Sequence, residues 1–161
     1  MFPQISTLGL TLVTALFSGC SSVMGGNPWG TWVLYQSELC LAPGIETGVT
    51  WISDTTALAS FYAKPGQSRL APPQHPMLDF SRQVAVVIRM GAKPTTGYRI
   101  TLLDTEWKDE TLWVRVEQES PLPGAWVQKR TTAPCLVLGL PRVPLIAVED
   151  NTGQKLGFIT P

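Results

Sequence analysis

Val84 to Met90 reads VAVVIRM, a nearly unbroken run of β-branched and apolar residues. It lacks the apolar/polar alternation of a half-solvated strand, so it predicts a strand covered on both faces and placed centrally. Around it, 14 glycines and 14 prolines recur along the 161 residues, breaking up helices and favouring short strands joined by turns. Thr31 to Gln36 reads as a first strand, rich in side chains that favour extended structure. Tyr98, Ile100 and Leu102 alternate with Arg99 and Thr101, and Leu112, Val114 and Val116 alternate with Trp113, Arg115 and Glu117. With the polar Lys108-Asp109-Glu110 between them, these predict a hairpin. Cys135 to Leu140, Leu145 to Glu149 and Gln154 to Ile159 supply further strands, separated by turn sequences at Pro141–Pro144 and Asp150–Gly153. The expected fold is mainly β, an antiparallel sandwich or barrel of about seven strands. One helix is expected near Ser53–Ala63. Ser53 is the expected cap and Asp54 suits the first turn, while Leu58, Phe61 and Tyr62 share one face that packs on a sheet. Lys64-Pro65-Gly66 stops it, and the proline-rich residues 65–79 read as a loop.

At the N-terminus, Ile5 to Phe17 is mostly apolar but shorter than the ~20 residues a helix needs to cross a bilayer, which is the length of a signal-peptide core. Leu16-Phe17-Ser18-Gly19-Cys20 follows and resembles the lipobox of bacterial lipoproteins, with small residues before a cysteine that takes diacylglycerol. This implies a signal peptide over 1–19, lipidation of Cys20, a flexible Gly-rich tether over 20–30, and a single domain over 31–161. Ser21, rather than Asp, after the cysteine resembles lipoproteins sent to the outer membrane. A multi-acyl anchor holds firmly because each buried methylene contributes ~0.8 kcal/mol.

Twelve basic and twelve acidic side chains cancel, which leaves no field to draw in nucleic acid or an anionic surface. The one histidine, His75, stands in the proline-rich loop and makes a poor general base. Asp109-Glu110 and Glu149-Asp150 read as solvated corners rather than acid/base couples. No cysteine spacing fits a metal site and no glycine pattern fits a phosphate loop, so the chain reads as a non-enzyme without metal, cofactor or small-molecule substrate. Beyond Cys20, Cys40 and Cys135 form an even remainder in an oxidising compartment. A disulfide between them and two buried free thiols are both open readings.

Asp79-Phe80-Ser81 stands before the central strand, Lys93-Pro94-Thr95-Thr96-Gly97-Tyr98 after it, then a hairpin, a Pro121-Leu122-Pro123-Gly124 loop, and Thr132-Ala133-Pro134 leading into a hydrophobic strand. In this order the motifs resemble the C-terminal domain of the PrcB family, bacterial lipoproteins named for a subunit of a surface protease complex. The resemblance implies a non-catalytic accessory subunit that binds a protein partner such as a peptidase. On the residues alone, Pro94 to Gly97 and Thr132 to Pro134 read either as tight structural turns or as presented recognition loops. Lys93-Pro94-Thr95-Thr96-Gly97-Tyr98 is also similar to a loop of chagasin-like inhibitors of cysteine peptidases, and the alternative it implies is an inhibitor acting through Pro94–Tyr98. Trp113, facing away from the apolar side of its strand, and Trp126, after the proline-rich loop, are further candidate anchors for a partner.

Overall fold

The computed structural model describes residues 30–40, 46–63 and 75–161. The signal peptide, Cys20, nearly all of the tether and most of the 65–79 loop lie outside the described residues. The strands are β1 (Trp32–Ser37), β2 (Thr47–Ile52), β3 (Gln83–Met90), β4 (Arg99–Lys108), β5 (Thr111–Glu119), β6 (Cys135–Pro141), β7 (Leu145–Asp150) and β8 (Lys155–Ile159), with the helix α1 (Thr55–Tyr62) between β2 and β3. They form two four-stranded sheets, β1-β6-β3-β2 and β4-β5-β7-β8. The architecture is a β sandwich rather than a closed barrel. All pairings are antiparallel except β5 with β7, which run parallel.

Between the sheets, Val84, Val86, Ile88 and Met90 of β3 meet Leu136, Leu138 and Leu140 of β6, and Ile100, Leu112, Val114, Val116, Ile146, Val148 and Ile159 close the core from the other side. The opposite face of β3 is also buried. Ala85 and Val87, with Val137 of β6, pack under Leu58 and Phe61 of α1. The continuous apolar run thus has a physical cause: β3 lies inside the first sheet, with a sheet on one side and a helix on the other.

The mainly β sandwich of about seven strands expected from the sequence is found, with eight strands among the described residues; the one without a sequence signal is β2, an edge strand with no fully buried residue and so little apolar signature. Two details need correction. Asp54, not Ser53, caps α1, its carboxylate accepting from the Ala57 N–H at 2.8 Å. The strand expected over 98–102 continues to Lys108, because the register shifts between Leu102 and Asp104. A bulge there reverses which residues point inward and erases the alternation. Asp109 and Glu110, at φ 50° and 60°, make the two-residue hairpin turn between β4 and β5.

Candidate recognition loops

At one end of the sandwich three connections meet: the segment after β1, the β3–β4 loop and the long β5–β6 loop. Two main-chain bonds join the β3–β4 and β5–β6 loops, from Lys93 N–H to the Thr132 carbonyl at 2.8 Å and from Thr132 N–H back to Lys93 at 2.9 Å. The Thr132 hydroxyl, with no exposed surface, donates to the Thr95 carbonyl at 2.8 Å. Thr96 engages Gln128 twice, its N–H donating to the Gln128 carbonyl at 3.1 Å and its hydroxyl accepting from the Gln128 N–H at 3.0 Å. The Gly97 N–H donates to Glu38 Oε1 at 3.1 Å. The chain after β1 is tied in by Ala133 N–H to the Glu38 carbonyl and Cys40 N–H to the Ala133 carbonyl, both 2.9 Å. Cys40 and Cys135 form a disulfide, with Cα atoms 5.4 Å apart. Pro134 is buried and accepts from the Met90 N–H at 3.0 Å. The motifs 93–98 and 132–134, distant in sequence, therefore face one another and direct polar groups at each other.

Gly97 explains why the bracing needs this sequence. It sits at φ +92°, and a Cβ there would come within 3.2 Å of the Pro121 ring and 3.4 Å of Val127. Only a residue without a side chain lets the β5–β6 loop lie so close at that backbone conformation. Lys93 extends over the Tyr98 ring at 5.5 Å, a contact that holds the ammonium at the edge of the cluster.

Braced on Gly97 by Pro121 and on Thr96 by Gln128, the intervening chain turns outward. The Ala125 N–H donates to the Leu122 carbonyl at 3.0 Å and Gly124 has φ +81°, the pattern of a type II turn with proline and glycine at its two central positions. Leu122 and Trp126, on either side of this turn, are 78% and 87% exposed. Lys129 and Arg130 follow, also exposed, with Arg130 3.7 Å from Glu38. Two large apolar side chains on a fixed turn beside cationic residues are what a protein partner can grip. Trp126 had a sequence signal; Leu122 stood beside the Pro-Gly pair that marks the turn.

The other candidates lie elsewhere. Trp113 is half-buried on the outer face of the second sheet, and the Lys155 ammonium sits 3.8 Å from its ring centre, so its exposed side is already occupied. Glu149 is not a solvated corner; it accepts from Arg115 Nε at 3.4 Å, and Arg115 also reaches Asp104 at 2.9 Å. Asp150 caps its turn, accepting from the Thr152 hydroxyl and from the Thr152 and Gln154 N–H groups, and these bonds hold its carboxyl below the usual range. His75 places Nδ1 3.0 Å from the Pro76 carbonyl and its ring 6.4 Å from Tyr62. The Tyr62 phenol donates to the Leu34 carbonyl at 3.2 Å, and burial with the nearby Tyr35 pushes its pKa up to about 12. Among the described residues, no three His, Cys, Asp or Glu side chains are grouped to hold a metal ion.

No curated protein and no solved structure matches the chain. Residues 84–141 match the family model PrcB C-terminal. That segment runs from the body of β3 through both braced loops to the end of β6. Over it, little more than a third of its length, the chain matches the PrcB C-terminal family.

Proposed function

We propose that the chain is a lipid-anchored, non-catalytic module of the bacterial outer membrane that binds a protein partner through the Leu122–Trp126 turn. The supporting observation is the exposure of Trp126 and Leu122 on a turn braced at both ends. A preformed apolar tip loses little conformational freedom on docking, which favours affinity. The exposed cations Lys129 and Arg130, the latter 3.7 Å from Glu38, suit a partner surface that carries carboxylates. The lipid anchor rests on the sequence around Cys20. The peptidase, or peptidase precursor, as partner rests on the family name alone.

The test is mild-detergent purification of the tagged full chain from membranes, followed by identification of co-purifying proteins. A peptidase retained by the native chain and lost with Trp126→Ala supports the reading; unchanged co-purification with Trp126→Ala overturns the assignment of the tip. Cys20→Ser should move the protein out of the membrane fraction, and persistence there contradicts the anchor. The inhibitor alternative requires Pro94–Tyr98 to enter an enzyme cleft. The inward bonds of Thr95, Thr96 and Gly97 favour a bracing role instead, and an assay against papain with that loop altered separates the two.

A further inference from the structure

On the outer face of the first sheet, α1 does not reach the edge strand β2, and a groove of about 270 Å³ opens between them. Ile52 and Ala57 line it together with the polar Thr50, Ser60 and Arg89, over the nearly buried Val87 and Phe61. Arg89 Nη1 donates to the Thr50 hydroxyl at 2.9 Å. Among the described residues its buried Nε finds no acceptor, a costly arrangement that native proteins seldom keep without use.

All twelve side-chain carboxylates of the chain fall within the described residues, and the ion pairs formed there involve Arg115 and Arg130, never Arg89. Arg89 is thus a partly desolvated cation lining this groove, with no internal anion to pair with. A guanidinium matches a carboxylate in charge and geometry. The groove is smaller than the ~300–1,000 Å³ of pockets that enclose whole drug-sized ligands, so it suits the end of a longer chain. β2 is the edge of its sheet, and an edge strand offers main-chain donors and acceptors that an extended peptide can pair with.

We infer that this groove binds the C-terminus of an extended peptide, with the terminal carboxylate on Arg89 and the last apolar side chain in the groove beside it, against Ile52 and Ala57. This site is separate from the Leu122–Trp126 tip, so either can fail without the other. The experiment is fluorescence anisotropy of the full chain in detergent with labelled hexapeptides ending in alanine, valine, leucine or phenylalanine, each as free acid and as C-terminal amide. At least one free acid is expected to bind, with amidation and Arg89→Met each weakening it roughly tenfold or more, Arg89→Lys less so, and Trp126→Ala having no effect. The native chain alone decides the matter through the acid and amide comparison, even if Arg89→Met misfolds. Equal binding of acid and amide, or no binding of any free acid below about 1 mM, overturns the proposal. Octanoate binding more tightly than every peptide overturns the peptide as the source of the carboxylate.

Discussion

The β3–β4 and β5–β6 loops are joined at Lys93–Thr132, Thr96–Gln128 and Gly97–Pro121 and differ in what they expose. Lys93 to Gly97 turns its polar groups inward: Thr95, Thr96 and Gly97 all bond to neighbouring segments. Residues 121–128 instead fix their two ends and leave Leu122 and Trp126 in solvent. The 93–98 motif, which resembles the PrcB family, is thus a brace, and the plainer loop beside it presents the apolar side chains. Motif and binding surface need not coincide, because a recognition loop needs a scaffold whose own sequence is constrained by packing.

Breaking the brace at its covalent point should have the largest effect. Removing the Cys40–Cys135 bond, which closes a separation of 95 residues, is expected to cost ~4 to 5 kcal/mol in the chain-entropy model, read by urea unfolding of Cys40→Ser. Gly97→Ala comes next, at about 1–3 kcal/mol, because it combines a positive φ with the Pro121 contact. A variant as stable as the native chain would show that the two loops are not tightly apposed. Thr132→Val keeps the shape but leaves the Thr95 carbonyl without its donor, an expected loss of ~1–3 kcal/mol in the same assay.

On the presenting side the contrast sharpens. Leu122→Ser and Trp126→Ser, both exposed, should each change stability by no more than ~0.5 kcal/mol, so a thermal shift of several degrees would mean that the tip packs on the body. The smallest effect is expected at the Asp150 turn, which is braced like 93–97 but lies on another connection. Its hydrogen bonds lower the carboxyl below its ordinary value. Their stabilisation is present above the unfolded pKa of about 3.9 and is lost as pH falls through the lower folded value. Asp150→Asn should therefore lower stability slightly at neutral pH and flatten its decline in acid, as followed by unfolding at a series of pH values.

How far the sequence discloses this depends on where each residue lies. Val84–Met90 and Cys135–Leu140 are legible because a strand buried on both faces must be apolar throughout. β2 is obscure for the opposite reason: at a sheet edge, with Thr47, Thr50 and Trp51 exposed, it carries little hydrophobic pattern. Beyond Leu102, β4 is hidden by a bulge that one sequence does not signal. The 93–98 and 132–134 motifs can be found as strings, but their mutual bonding depends on pairing across the sheet. The groove at Arg89 is invisible in sequence, since VAVVIRM reads as core and only the placement of α1 shows that the arginine lines a groove.

The most direct test places a photo-crosslinking residue at position 126 in one full-length variant and at position 95 in another, and irradiates native membranes. If the β5–β6 loop presents and the β3–β4 loop braces, position 126 should give a discrete adduct with a partner protein and position 95 only internal products. A partner adduct from position 95, with none from 126, would contradict the account.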